Sequence, residues 1–255
     1  DIVKQIIDQR ITKILQDNPE LFSDKKDEER KRSQAFLLLG VAAYLDIDIA
    51  EAIQYTTDGG QDGGFDAAYI EDTQDSQINV VLFQSKYSRK LDSDSNFPAN
   101  AVEKAVNTVK CVFDPNANIQ LNYKSKKKVD EIRSFILDGR IPYVTFVMLN
   151  NGIAWNNDGQ NYINNAFNGQ EQVKFVHFSH TDIINYINRS TPINTHINFS
   201  GKAIQEDFNY KRVILGRVSV SEIYKLMDEY GDRLLEKNIR RYLGSNIINE
   251  QISST

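Results

Sequence analysis

The chain contains a single cysteine, Cys111, among its 255 residues. One cysteine cannot form an internal disulfide, and it cannot supply a zinc cluster built from several thiolates. This scarcity favours a protein of the reducing cytoplasm. Cys111 stands beside Val112 in a segment with helical periodicity, so we expect it to be a core residue.

Long apolar runs are also missing. The longest, 35–45 and 143–149, are shorter than the roughly 20 residues that a membrane-spanning helix needs, so we expect no membrane partner. No basic segment followed by an apolar one opens the chain, which favours a cytoplasmic location over secretion. Because the sequence begins at Asp1 without an initiator methionine, we expect a processed or trimmed chain.

Positive charge is in deficit, with 30 Lys and Arg against 35 Asp and Glu, a net charge of −5. Domains that coat nucleic acid by bulk charge usually show a basic excess, so this class is disfavoured. An enzyme with its own carboxylates and a local basic strip remains compatible with the totals. Two such strips occur, one formed by Lys86, Arg89 and Lys90 and the other by the lysines of 124–128.

The hydrophobic periodicity predicts a mixed α/β domain. Helices are expected at 2–15, 27–45, 99–113, 124–137 and 182–188, with a short one within 150–170. Strands are expected at 53–57, 65–71, 78–86, 142–149 and 173–178. The resulting order is helix, three strands, helix, strand, helix, strand, helix.

The pattern changes after Pro192, so we place a boundary there and expect domains at 1–192 and 193–255. Short strands at 196–199 and 213–218 precede a helix with the capping box Ser219-Val220-Ser221-Glu222 and a stop at Gly231. The apolar positions of this region should pack on the first domain or on another molecule. A homodimer is compatible with the second arrangement. The apolar positions are Ile223, Leu226, Leu234, Leu235, Ile239 and Leu243.

Chemistry-bearing residues gather on the expected hairpin. Gln84 and Lys86 share one face of the second strand because side chains alternate with period two. In an antiparallel hairpin the numbers of paired residues have a constant sum, and Asp66 with Gln84 places the turn near residue 75, inside the polar run 72–77. A carboxylate, an amide oxygen and an ammonium group on one patch could hold a divalent cation and stabilise charge on a phosphate.

Glycines 59, 60, 63 and 64 come just before Asp66. They would let the backbone approach a bulky ligand, or they could simply shape a tight turn. We interpret Asp58 and Asp62, which lie among them, as turn residues.

Gly-Gly-x-Asp on one strand and Gln-x-Lys on the next resemble the PD-(D/E)XK nuclease superfamily, in the Gln-x-Lys form of Mrr-like restriction enzymes. The longer string TTDGGQDGGFDAAYIEDTQDSQINVVLFQSKYS is similar to the N-terminal region of the abortive infection phage resistance (AIPR) family. The segment LLEKNIRRYLGSNIINEQISST is similar to a later Leu-Phe-x-x-Asn-x-Arg motif of that family, with Leu235 in place of Phe. The AIPR family continues past this motif, so the resemblance implies a truncated chain.

The resemblance implies a restriction-endonuclease-like mixed sheet flanked by helices, and an Mg²⁺- or Mn²⁺-dependent endonuclease that acts on DNA in bacterial anti-phage defence. By position, Asp66 would be the metal-bridging carboxylate, Gln84 a metal ligand in place of the usual acid, and Lys86 the catalytic lysine. The superfamily's first helix usually adds a Glu, for which Glu29 is the candidate, with Glu28 behind it. We expect Arg89, Lys90 and Lys104 to contact nucleic acid, while Asn238 and Arg240 would be structural or interface residues.

Two other functions remain open: a nuclease-fold module that binds nucleic acid without cleaving it, and a nuclease acting on RNA. The run Lys-Ser-Lys-Lys-Lys at 124–128 is interpreted as a solvated helix face, with phosphate contact as the alternative. His177 and His180 lack the third ligand that a catalytic zinc needs, so we assign them to packing or surface. Trp155 could stack on a base, although one aromatic residue in a loop is weak support.

Overall fold

The computed structural model describes residues 2–23, 27–57, 63–73, 76–89, 95–114, 116–117, 120–190, 195–208 and 211–230. The chain divides into two compact units, 1–188 and 189–255. None of the helices in the described ranges combines the length and the apolar character that crossing a membrane requires.

The first unit opens with helices whose bounds follow the hydrophobic pattern. Helix α1 spans Ile2–Asp17, and α2 spans Glu28–Leu45 with Asp27 as its N-cap. The first half of α2 is exposed or half-buried, whereas residues 35–42 are buried, which confirms the predicted division of this helix. The short helix α3 (Ile49–Ala52) and a 3-10 turn (Ile53–Tyr55) follow.

A four-stranded mixed sheet lies at the centre of this unit. Its strands are β1 (Ala67–Thr73), β2 (Gln77–Lys86), β3 (Ile141–Asn150) and β4 (Val173–Phe178), in the order β1-β2-β3-β4. The hairpin β1-β2 is antiparallel, whereas β3 pairs parallel to β2 and β4 parallel to β3. The carboxyl ends of β2, β3 and β4 therefore lie along one edge of the sheet.

Helices cover both faces of the sheet. The remaining helices are α4 (Ala99–Phe113), α5 (Tyr123–Leu137), α6 (Asn157–Phe167) and α7 (His180–Ser190). One hydrophobic cluster joins α1, α2 and α7 to odd-numbered residues such as Phe83 and Val147. The other joins α4, α5 and α6 to even-numbered residues such as Leu82 and Phe146. The mixed α/β class expected from the sequence is confirmed.

Two predicted strands are wrong. Residues 53–55 form the 3-10 turn, and only Thr56 makes an isolated bridge, to Ala67, so two strands and not three precede α4. The β-branched residues of this segment had suggested a strand, but its backbone is taken up by the turn that follows α3. Residues 196–199 are likewise not a strand.

The second unit contains the antiparallel pair β5 (Ile204–Phe208) and β6 (Lys211–Leu215), followed by α8 (Val220–Tyr230). The Oγ of Ser219 accepts a hydrogen bond from the amide of Glu222 at 3.1 Å, which confirms the predicted cap. The predictions for Gly231, Leu234, Leu235, Asn238, Ile239, Arg240 and Leu243 lie outside the described residues.

Candidate functional site

The hairpin register places Asp66 one residue beyond the last pair of the β1-β2 ladder. Ala67 pairs with Phe83, so paired numbers sum to 150 as the sequence predicted. At Asp66 the pairing departs from this register by one residue, because the amide of Asp66 donates to the carbonyl of Phe83, the partner of Ala67, at 2.6 Å. The other side of this segment is also paired, since the amide of Thr57 donates to the carbonyl of Asp66 at 2.9 Å.

The carboxylate of Asp66 reaches across to the second strand. Its Oδ2 accepts a hydrogen bond from the backbone amide of Ser85 at 2.7 Å. This bond brings the carboxylate to the residue between Gln84 and Lys86. Hydrogen bonds from backbone amides favour the charged form of a carboxylate, which is the form that binds a cation.

The side chain of Gln84 is buried, with 5% of its surface exposed. Its Oε1 has no hydrogen-bond partner among the described residues. A buried carbonyl oxygen without a hydrogen-bond donor costs free energy, so we expect this oxygen to bind a water molecule or a cation. Among oxygen donors, an amide carbonyl is also a suitable ligand for Mg²⁺ or Ca²⁺.

Lys86 is exposed at the end of β2, on the same face as Gln84. In the parallel ladder its partner is Asn150, the last residue of β3. This face is the one that α4 and α6 cover, as shown by Leu82 and Met148 in the second hydrophobic cluster. Asp66, Gln84 and Lys86 are thus neighbours at the carboxyl edge of the parallel strands.

A polar pair that the sequence analysis missed lies beside Lys86. Asn150 is 3% exposed, and its Oδ1 lies 2.7 Å from Nε2 of His177 on β4. Its Nδ2 donates to the carbonyl of Ile153 at 3.1 Å, so Oδ1 is the acceptor and Nε2 of His177 carries the proton. The parallel β2-β3 pairing brings Asn150 next to Lys86, and single-strand periodicity gave no signal of that pairing.

His177 is half-buried, and its ring meets Trp155 edge to face at a centroid distance of 6.3 Å. Burial lowers the pKa of His177. Asp182 opposes this shift and His180 adds to it, so the pKa lies below the usual 6.5. The imidazole is therefore neutral at pH 7, which agrees with its role as a donor to Asn150. The sequence predicts a packing or surface role for His177, and in the structure the residue also donates a hydrogen bond to Asn150.

Helix α4 packs against the turn that leads into Asp66. The hydroxyl of Thr108 donates to the carbonyl of Gly63, and Gly64 has a φ of +94°. A Cβ on Gly64 would lie 2.7 Å from Oγ1 of Thr108 and 3.1 Å from Cγ of Lys104. The Lys104 side chain on α4 thus lies beside Gly64, which is two residues before Asp66, and its role in nucleic-acid contact stays a prediction.

Glu29 lies on the exposed first turn of α2, where its amide donates to Oδ1 of Asp27 at 3.0 Å. The buried half of α2 packs on the sheet face opposite to that of Gln84. No contact in the described part of the chain joins the Glu29 carboxylate to Asp66, so its place in the metal site stays a prediction. Lys90 is outside the described residues, as are glycines 59 and 60 with Asp58 and Asp62.

The opposite face anchors the residue after Lys86. The hydroxyl of Tyr87 donates to Oδ1 of Asp8, which also accepts from Arg32. Burial raises the pKa of Asp8, but these two hydrogen bonds and the positive charges of Arg32 and Arg89 outweigh it, so the pKa lies below 3.8. The end of β2 is therefore tied to α1 and α2, while Arg89 itself is exposed.

The donor set fits a cation that keeps much of its water. Within the described ranges no group of three or more His, Cys, Asp or Glu residues could hold a metal ion. The protein ligands would be Asp66 and Gln84, and Mg²⁺ is commonly bound through one or two carboxylates together with water and substrate phosphate. The orphaned Gln84 oxygen is the feature that this cation would satisfy.

No family model, no curated protein and no solved structure matches this chain.

Proposed function

We propose that the chain is a metal-dependent nuclease that hydrolyses phosphodiester bonds of DNA, with a restriction-endonuclease-like arrangement of its mixed sheet. We also propose that it belongs to bacterial anti-phage defence, as the N-terminal part of an AIPR-type protein. The observation that carries the proposal is the buried oxygen of Gln84, which has no donor among the described residues and lies next to Ser85, whose amide binds the Asp66 carboxylate. Lys86 lies two residues beyond Gln84 on the same face.

Each residue has a role that follows from its chemistry. Asp66 and Gln84 would hold Mg²⁺ or Mn²⁺, which supplies a Lewis acid for the phosphate oxygen. The exposed ammonium of Lys86 donates hydrogen bonds to a phosphate oxygen or to the attacking water. Asn150 pairs with this lysine in the ladder and is itself held by a hydrogen bond from His177.

The experiment is a digest of plasmid, single-stranded DNA and RNA in Mg²⁺, in Mn²⁺ and in EDTA. We expect DNA to be cleaved in either metal and to stay intact in EDTA. Cleavage of RNA alone would support the metal-dependent nuclease but show that its substrate is RNA and not DNA. No cleavage of any substrate in either metal would contradict the nuclease proposal.

A second candidate is a nucleic-acid-binding module without activity. It is favoured by one observation, that the described residues contain no group of three or more His, Cys, Asp or Glu that could hold a metal ion. Retention of DNA by the protein in Mg²⁺, with no strand scission after prolonged incubation, would support it.

A further inference from the structure

A cavity of about 610 Å³ lies between residues 53–57 and the first turns of α5. Three lysines line it, Lys124, Lys127 and Lys128, and we call it the lysine cavity. It belongs to the first unit and is separate from the Asp66 and Gln84 pair. A solvated helix face, the prediction for this lysine run, does not account for a concave surface, whereas the alternative, phosphate contact, does.

Helical periodicity explains which lysines face the cavity. Positions 124, 127 and 128 are spaced i, i+3 and i+4 and so share one side of α5. Lys126 belongs to the same run and is exposed, yet it does not line the cavity. The run is therefore divided between a cavity side and a solvent side.

The lysine cavity has an excess of positive charge. Lys128 pairs with the Glu131 carboxylate at 3.3 Å, and Glu131 also lines the cavity. Lys124 and Lys127 form no ion pair with any residue in the described ranges. Three ammonium groups and one carboxylate around a concave surface match an anion with several negative charges, such as adjacent phosphates.

Tyr123 adds an aromatic surface at the rim. It is the first residue of α5 after the N-cap Asn122, lines the cavity and is 84% exposed. An exposed ring beside phosphate-binding lysines is the combination that single-stranded nucleic acid uses, because unpaired bases stack on aromatic side chains. Bases within a duplex are already stacked and offer no free face to such a ring.

The cavity adjoins the candidate active site through Thr57. Asn122 donates from Nδ2 to the carbonyl of Thr57 at 3.0 Å, and the amide of Thr57 donates to Asp66. Residues 57 and 66 are therefore neighbouring extended segments, about 5 Å apart as in a sheet. In double-stranded DNA each strand advances about 3.4 Å per nucleotide, and even at this short spacing a few nucleotides would span from Asp66 to the cavity.

We propose that the lysine cavity binds the phosphates of a single-stranded segment of the nucleic-acid substrate, with one base stacked on Tyr123. The inference rests on the proposed nuclease function for the identity of the substrate. It adds that the substrate carries an unpaired stretch a few nucleotides from the scissile bond.

The test is equilibrium binding of labelled oligonucleotides of about 20 nucleotides in EDTA, where no cleavage occurs. The probes are a DNA single strand, the matching duplex and an RNA strand of the same sequence. The variants are Lys124→Ala, Lys127→Ala, the double variant of both, Tyr123→Ala and Glu131→Gln, with Lys126→Ala as the charge-matched control for each single lysine variant. Circular dichroism checks that each variant is folded.

Each variant has a distinct expected result. The double variant should reduce the slope of log affinity against log salt by about 1.4, as expected for two lost phosphate contacts to a single strand. Tyr123→Ala should weaken single-strand binding at least about fivefold and leave duplex binding unchanged. Glu131→Gln should tighten single-strand binding because it frees Lys128, and Lys126→Ala should have a smaller effect than either cavity lysine.

The proposal is overturned if Lys126→Ala weakens binding as much as the loss of a cavity lysine, or if Tyr123→Ala affects single strand and duplex equally. Absence of single-strand binding by the unaltered protein would also overturn it. Binding and cleavage are scored separately, so the two proposals fail independently. Intact cavity-dependent binding without cleavage in Mg²⁺ rejects only the nuclease, and cleavage with unchanged binding in the cavity variants rejects only the cavity.

Discussion

Gln84 has a buried amide oxygen for which the described part of the protein provides no donor. An unmatched polar atom of this kind costs about 1–3 kcal/mol, so a purely structural residue here would more naturally be apolar. The neighbouring Asp66 carboxylate accepts a hydrogen bond from the backbone amide of Ser85, the residue next to Gln84. Asp66 and Gln84 are therefore the two candidate metal ligands of the site.

Gln84→Leu tests two effects of this oxygen separately: the free energy lost by burying it without a donor, and the stabilisation gained when it binds Mg²⁺. In EDTA we expect the variant to be as stable as the parent protein or more stable by about 1 kcal/mol, because an unmatched polar group is replaced by an apolar one. Added Mg²⁺ should raise the free energy of unfolding of the parent protein and leave that of the variant unchanged. Denaturant unfolding with and without Mg²⁺ measures both effects. A metal-dependent stabilisation of the variant equal to that of the parent would contradict the assignment of Gln84.

His177 should make stability depend on pH. Its pKa is lower in the folded protein than the unfolded value near 6.5, so the unfolded state binds more protons below that pH. The free energy of unfolding should therefore fall as pH drops below about 6.5, and His177→Gln should lack this part of the decrease. Urea unfolding between pH 7.5 and about 5 measures the difference, with His196→Gln, an exposed histidine of the second unit, as control. Identical pH curves for His177→Gln and the parent would contradict this account.

At the scale of elements, hydrophobic periodicity predicted the bounds of a helix or strand well wherever that element has one consistently apolar face. Helix 99–113 and strand 173–178 agree with the structure at both ends, because each carries an uninterrupted apolar pattern. The segment 53–57 failed because three of its residues are bound into a 3-10 turn that short-range propensity does not reveal. Local reasoning also predicted that paired numbers in the β1-β2 hairpin sum to 150, since a hairpin register depends only on the turn, but at Asp66 the hydrogen bond to Phe83 shifts the pairing by one residue.

The rest of the candidate site depends on contacts that are distant in sequence. Asn150 reaches Lys86 only through the parallel pairing of β2 with β3, across two intervening helices. The cavity next to α5 likewise depends on where residues 53–57 dock. No pattern within one segment encodes either arrangement, which is why Asn150 and the division of the lysine run were not predicted.

The packing of α4 on the turn before Asp66 can be tested at Gly64. An added methyl group would meet Oγ1 of Thr108 at 2.7 Å, in addition to the strain of a φ of +94°. We expect Gly64→Ala to lower the free energy of unfolding by about 2–4 kcal/mol, from backbone strain and overpacking together. Chemical denaturation measures the change.

Gly139→Ala is the matched control, because Gly139 has a φ of +85° and no atom within 4 Å of an added Cβ. It should show the cost of strain alone, about 1 kcal/mol. Equal losses in the free energy of unfolding for Gly64→Ala and Gly139→Ala would show that the contact with α4 does not contribute to stability.

At the scale of the whole molecule, both hydrophobic clusters consist of residues from the first unit. One reaches from Val3 to Ile187 and the other from Phe65 to Phe175. All residues of the candidate site and of the lysine cavity lie in the same unit.

A fragment of residues 1–190 should therefore fold by itself. We expect cooperative thermal unfolding and a mixed helix and strand spectrum, because both clusters are retained. Calorimetry and circular dichroism measure this. A fragment that stays unfolded or aggregates at low concentration would mean that the core depends on residues 191–255.

The most direct test of the central claim is DNA cleavage by Lys86→Ala compared with the parent protein in Mg²⁺. We expect cleavage to fall by about 10²–10³-fold, as for the loss of one transition-state hydrogen-bond donor, with thermal unfolding unchanged because Lys86 is exposed. A parallel Glu29→Gln variant decides whether the carboxylate on α2 takes part. Unaltered cleavage by a folded Lys86→Ala protein would contradict the account.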